Sequence, residues 1–285
     1  MRWDSRRGCS LLLRRVRGGY GDSMKVLLLA FCATCALAGA GERKRPLMRD
    51  FIGINVDAAQ SKPGLYASAA RVFRSYPEDP ATHWMENLQH LQKWRAEHAP
   101  TKELWEVEFG YDASPKRAQP SGEFARWQGV TEEQQAMWTV RSFLLLAGLG
   151  VDRAHLFSAN DAGDPQVRVI TRNFQPKPVF HALAWLQRSL GEYRFARVER
   201  EDAGDCYCYE FIHGTDAKKR VWAIWKPTGE PLVVRLFHDP LHIVRAERMP
   251  LNQGDVNFAK VKLEIEGYFA IQADERPVFV WLDEK

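Results

Sequence analysis

Two carboxylates stand close together in the stretch Leu104-Trp105-Glu106-Val107-Glu108-Phe109-Gly110-Tyr111-Asp112. Carboxylates so placed can attack an electrophilic carbon or carry a proton. The front half of the stretch reads as a short strand, which Gly110 and the polar run from Asp112 end. Strict alternation turns Leu104, Glu106 and Glu108 to one face and Trp105, Val107 and Phe109 to the other. In a barrel of parallel strands the second set would meet the surrounding helices and the first would face the barrel axis. Glu108 then lies at the carboxyl end of its strand, where that architecture keeps its chemistry.

The elements that must hold this strand alternate between two periods. Phe51 to Val56 reads as a strand, and Leu65 to Tyr76 as a helix with Ala69, Val72 and Phe73 on its apolar side. Pro77-Glu78-Asp79-Pro80 breaks the pattern, and a second helix is expected from about Thr82 to His98, with Met85, Leu88 and Leu91 on one side. Residues 113 to 130 form a polar loop. Thr131 with Gln134 three residues on is a capping box, opening a helix that carries Met137, Val140, Phe143, Leu144 and Ala147 and closes at Gly148 and Gly150. Val151 to Ser158 reads as a strand, followed by Ala159-Asn160-Asp161. Pro178 opens a last helix, which runs to Leu190 and stops at Gly191.

A tryptophan-containing strand ending in Glu-Phe-Gly-Tyr-Asp, then a long loop, a helix and one more strand, resembles strand seven onward of the retaining glycoside hydrolases of the large TIM-barrel clan. The resemblance implies that Glu108 is the nucleophile and that Phe51 to Val56 and Val151 to Ser158 are strands one and eight. The expected fold class is α/β: a partial (β/α)8 barrel followed by an antiparallel β-sandwich. A complete barrel of this kind takes roughly 250 residues, whereas residues 51 to 191 supply about 140. Strands two to six have no room between Tyr76 and Leu104.

The missing part includes strand four, whose Asn-Glu supplies the acid/base in this clan, and no Asn-Glu dipeptide occurs in the chain. Retaining hydrolysis uses two carboxyls about 5 to 5.5 Å apart, one as nucleophile and one as acid, then base. Glu78 and Glu86 are weak substitutes, in a breaker segment and on a helix. Glu106, expected on the face of Glu108 and one layer deeper, lies on the wrong side of a substrate and reads as relaxed core selection.

Asn160 and Asp161 follow the expected strand eight and would face the same cleft as Glu108, as sugar-hydroxyl partners or as plain turn residues. Tyr111, beside Asp112, and Trp127 carry planar amphipathic rings suited to the apolar face of a sugar. The eight histidines show no metal-ligand or triad spacing, so neither a metal nor a serine nucleophile has support, and no cofactor is implied.

Met24-Lys25, the apolar run Val26 to Leu37 and the small-residue site Ala38-Gly39-Ala40 read as a secretory signal peptide cleaved after Ala40. The run is too short to span a bilayer. Residues 1 to 23, with six arginines, read as an upstream extension. The whole chain has 40 Lys+Arg and 36 Asp+Glu, of which residues 1 to 40 hold seven and two, leaving 33 against 34. The mature chain is therefore nearly neutral, with no basic patch for nucleic acid. Cys206 and Cys208 share one face of a strand, roughly 7 Å apart along it, which favours small core residues over a mutual disulfide.

Three regions result: 1–40 as extension and signal peptide, 41–191 as a truncated barrel, and 192–285 as a sandwich. Strand-length runs are expected at Cys206 to Ile212, Arg220 to Trp225, Leu232 to Phe237, Leu241 to Ala246, Lys260 to Ile265, Phe269 to Ala273 and Val278 to Leu282. The two regions should join near Gly191 to Arg194. Two function classes stay open. One is a secreted glycoside hydrolase acting on a polysaccharide or its oligomers through Glu108. The other is a non-catalytic carbohydrate-binding or remnant protein descended from such an enzyme.

Overall fold

The structure is a computed structural model and describes residues 45–55, 72–74, 92–98, 100–113, 129–159, 168–202, 205–238, 241–255 and 258–284. The chain falls into two compact units, Met1–Arg43 and Lys44–Lys285, and all described residues belong to the second. The expected signal segment, the residues 65–71, Glu78, Glu86, Trp127, Asn160 and Asp161 lie outside the described residues.

A short helix, α1 (Met48–Phe51), buries Met48 and Phe51 and runs directly into β1 (Ile52–Asn55). β2 (Val72–Arg74), β3 (Trp105–Phe109) and β4 (Arg153–Leu156) join β1 in a four-stranded sheet of order β2-β1-β4-β3, every pair parallel. Residues 72–74 are thus a strand where helical spacing of Ala69, Val72 and Phe73 predicts a helix. A β-branched and an aromatic residue in three positions suit a pleated surface at least as well. Residues 92–98 are helical, in line with the end of the expected second helix.

Helix α2 (Glu132–Gly148) begins where the sequence says it should. Thr131 accepts from the Gln134 backbone N–H and the Gln134 side chain accepts from the Thr131 N–H, closing the capping box. Glu132 and Glu133 in the first turn oppose the positive end of the helix dipole. Helix α3 (Pro178–Leu190) has Pro178 in its first turn, where the missing N–H costs nothing. Val140, Phe143 and Leu144 of α2 and Leu183, Leu186 and Leu190 of α3 meet α1, Ala154 and Leu156 in one core. The sheet binds its own start as well: Asp152 accepts from Leu104 N–H at 2.7 Å and from Arg95 at 2.6 Å.

The rest of the chain is antiparallel. A five-stranded sheet has the order β5 (Tyr193–Asp202), β6 (Cys206–His213), β7 (Lys219–Trp225), β12 (Val278–Glu284), β9 (Leu241–Arg248). A three-stranded sheet has the order β10 (Val261–Leu263), β11 (Tyr268–Ala273), β8 (Leu232–Phe237). Six strands of these sheets overlap the runs expected from sequence, and Leu232–Phe237 coincides with its run. β5 was not expected. It starts two residues after Gly191, so the proposed joint near Gly191 to Arg194 is the entry to a strand and not a free linker.

The central strands of the five-stranded sheet, β6, β7 and β12, are buried on both faces. Tyr209, Phe211, Val221, Ala223, Trp225, Phe279 and Trp281 belong to the core that α2 and α3 share. Cys206, Cys208, Trp222, Ile224, Val278, Val280 and Leu282 belong to a second core, with Val234, Leu236, Phe269 and Ile271 from the three-stranded sheet. This explains the unbroken apolar runs Val-Trp-Ala-Ile-Trp and Val-Phe-Val-Trp-Leu, which have no solvent side to alternate with. Both cysteines are free and buried, and burial pushes the Cys206 thiol up to about 11. Among the described residues no helix is long and apolar enough to cross a membrane.

Candidate active site

The carboxyl ends of β3 and β4 are held together by short backbone contacts. Phe157 N–H donates to Phe109 O at 2.8 Å. A Cβ on Gly110 would stand 2.4 Å from Phe157 O, far inside van der Waals contact, so only glycine permits this approach. The Gly of Glu-Phe-Gly-Tyr-Asp is thus a packing requirement at the place where Glu108 is presented.

Strict alternation fails along β3. Leu104 and Phe109, an odd number of steps apart, both pack against the helix-side core. The odd step comes from a register shift against β4 between Glu106 and Phe109. Before the shift Glu106 pairs with Ala154, which is buried in that core, and Trp105 pairs with Arg153, whose guanidinium lies over the indole at 5.4 Å. After it Phe109 pairs with Leu156 and meets Phe143 of α2 edge-on at 4.9 Å. Partners in a parallel pair share a face, so Glu106 falls on the helix side, as Phe109 does after the shift. The expectation that Glu106 faces the barrel axis, with Phe109 opposed to Leu104, is therefore corrected. A bulge-like irregularity of this kind re-aims a side chain at the end of a strand.

Electrostatics follow the geometry. Burial on the helix side raises the Glu106 carboxyl above the usual carboxylate range, partly opposed by a hydrogen bond from the Glu108 backbone. His155 of β4 is buried, with its ring 5.9 Å from that of Trp105 and Nδ1 3.4 Å from Glu106 O. It thus lies on the face of Trp105.

Tyr111 turns back onto α2. Its hydroxyl shares a 2.6 Å hydrogen bond with Ser142, its carbonyl accepts from Gln135 at 2.7 Å, and its ring meets Trp138 edge-on at 5.4 Å. Burial raises the phenol pKa. Asp112 is half-buried, and its carbonyl accepts from Val130 N–H at 2.8 Å. Glu108 and Asp112 thus belong to the carboxyl end of β3, whereas the Tyr111 ring is packed on α2 and not open to stack on a sugar. Sequence reading missed the α2 residues that secure Tyr111. The signal was present: Gln135, Thr139 and Ser142 recur at helical spacing on a buried face, a polar stripe with no reason to be there unless something polar meets it.

No family model matches the chain, and no curated protein matches it. Solved structures do. A family 39 glycoside hydrolase from the gut symbiont Bacteroides cellulosilyticus WH2 superposes with a TM-score of 0.51 at 17% identity, over 70% of this chain and 38% of that one. A glycoside hydrolase family 44 endoglucanase from Clostridium acetobutylium ATCC 824 superposes with a TM-score of 0.50 at 11% identity, over 81% and 44%. The chain therefore spans about two fifths of the length of these structures. At such identity the likeness is one of backbone architecture, and the chain carries part of a glycoside hydrolase fold.

Proposed function

We propose that the chain derives from a secreted, retaining glycoside hydrolase acting on polysaccharide or oligosaccharide, and that Glu108 holds the nucleophile's place. One observation supports this reading: Glu108 belongs to the carboxyl end of a parallel strand, next to Phe109, at the register shift against β4. In enzymes built on parallel barrels that end is where the chemistry is done. The strand order β2-β1-β4-β3 is also the order that strands two, one, eight and seven have around a closed barrel. On this reading the four-stranded sheet is an arc of a (β/α)8 barrel. The division at Gly191 separates that arc from a β-sandwich formed by the two antiparallel sheets.

In such a site the Glu108 carboxylate attacks the anomeric carbon as the glycosidic oxygen leaves, giving a glycosyl-enzyme ester that water then cleaves. A leaving oxygen of ordinary basicity needs a proton from a second carboxyl. Glu106, paired with Ala154 of the helix-side core, is not the residue assigned to supply it. A second reading, a non-catalytic carbohydrate-binding descendant, is favoured by the absence of any Asn-Glu pair from the sequence.

An activated 2-fluoro aryl glycoside needs little acid help, so it separates the readings. Incubated with the mature chain, it is expected to leave a mass adduct on Glu108 that Glu108→Gln abolishes. Sugar binding with no adduct would favour the second reading, and an adduct surviving Glu108→Gln would overturn the nucleophile assignment. Robust turnover of a natural oligosaccharide would show that an acid/base is present after all. Secretion is tested separately: the exported protein should begin at Gly41, and N-terminal sequencing that finds residues 1 to 23 attached would refute cleavage after Ala40.

A further inference from the structure

Tyr111, expected to stack on a sugar, is instead gripped along its length by one helix. Gln135, Trp138 and Ser142 stand at i, i+3 and i+7 of α2, on one stripe of its surface. Each of them meets Tyr111. Gln135 donates to its carbonyl at 2.7 Å, Trp138 meets its ring edge-on at 5.4 Å, and Ser142 shares a 2.6 Å hydrogen bond with its hydroxyl. Gln135 and Ser142 are 2% and 3% exposed. A buried amide and a buried hydroxyl are costly on the packed face of a helix unless each finds a partner, and Tyr111 partners both.

The residues between Tyr111 and Glu108 are fixed too. Phe109 packs on Phe143, the neighbour of Ser142 in α2, with ring centroids 4.9 Å apart. Gly110 lies where a Cβ would stand 2.4 Å from Phe157 O, so the segment leaving β4 closes on it. Phe109, Gly110 and Tyr111, which follow Glu108 in order, are therefore each held by a different contact. A phenylalanine in place of Tyr111 would keep the ring contact and lose only the hydrogen bond to Ser142.

We propose that Tyr111 is a positioning residue: through its bond to Ser142 it anchors the exit of β3 on α2 and thereby holds Glu108 in one place. The proposal rests on the reading of Glu108 as nucleophile, and it deepens that reading by naming what holds the residue. A carboxylate that attacks carbon must be presented within about 0.5 Å of its productive place. A misplacement of about 1 Å can cost on the order of 100-fold in rate.

The test is the labelling of the mature chain by an activated 2-fluoro aryl glycoside over a range of concentrations. Tyr111→Phe should lower the maximum labelling rate about tenfold, inside the bound that misplacement sets. The half-saturating concentration should stay unchanged, because the ring does not touch the sugar. Ser142→Ala should do the same, and the double variant should lose no more than either single one, as partners in one interaction do. An unchanged rate, additive losses, or a rise in the half-saturating concentration alone overturns the proposal. A second measurement needs no reaction. In a chain carrying 13C-labelled glutamate, the Glu108 carboxyl carbon, assigned by its loss in Glu108→Gln, should give one sharp NMR resonance that Tyr111→Phe broadens or splits. A resonance that Tyr111→Phe leaves as it was overturns the positioning role. No adduct on the wild-type chain overturns the nucleophile reading, and the resonance then decides the positioning role alone, so the two failures are told apart.

Discussion

Glu106 shows how strand pairing can overrule the face that alternation assigns to a side chain. The sequence presents Glu106 and Glu108 as neighbours on one face, because alternation is the only rule available before pairing is known. Pairing with Ala154 puts Glu106 against the helix-side core, and the register shift that follows brings Phe109 to the same side. A testable pH dependence follows. The folded chain holds the Glu106 proton more firmly than the unfolded chain does, because burial raises this carboxyl. The penalty is therefore absent below the unfolded pKa, and it grows as the pH climbs through the raised, folded one. Glu106→Gln should raise Tm near neutral pH and change it little at about pH 3.5, below the ordinary carboxylate range. A Tm gain of equal size at both pH values would show that the charge is not its cause.

At the scale of elements, the sequence was most legible where a local rule and the packing agree. Thr131 with Gln134, Pro178 and the apolar spacing of α2 and α3 placed both helices, because caps and helical periods act within a few residues. β5 escaped because it looks polar: its charges pair along the strand, Arg197 with Glu199 and Arg200 with Asp202, each at 2.5 to 2.6 Å. An edge strand with one solvated face can carry such a load, and charge there also discourages pairing with other chains. β2 escaped because three residues at helical spacing cannot be told from a short strand. The fit between β3 and β4 supplies the prediction at this scale. Gly110→Ala forces a methyl group into Phe157 O and should cost about 1 to 3 kcal/mol, the range for overpacking. Chemical denaturation measures it, and a loss near zero would mean that the two strand ends separate freely.

For the molecule as a whole, the five-stranded sheet couples what the sequence divides at Gly191. Trp185 of α3 stacks on Phe279 of β12 with ring centroids 4.1 Å apart, and its indole N–H donates to Glu247 at 3.3 Å. Such a core should melt as one unit. Trp185→Ala should cost about 3 to 5 kcal/mol and leave a single transition, with near- and far-ultraviolet circular dichroism coincident. Two separated transitions would show that the antiparallel region folds by itself. The change from alternating helix and strand patterns to short strands after Gly191 was legible because it is a change of period. The shared core was not, since Trp185 and Phe279 lie far apart along the chain.

The double burial of that sheet's central strands also bears on how they find their register. A strand with one wet face is held in place by its own pattern, because a slip of one residue would drive polar groups inward. β7 lacks that safeguard, since a slip would only exchange one apolar set for another. Glu210 of β6 supplies a substitute. Buried opposite Trp222, it accepts from the Trp222 indole N–H at 3.0 Å and from Arg220 at 3.0 Å. In any other alignment this carboxylate would be left in oil without its donors. One charged residue thus acts as the index mark that lets two featureless apolar strands count their way into place.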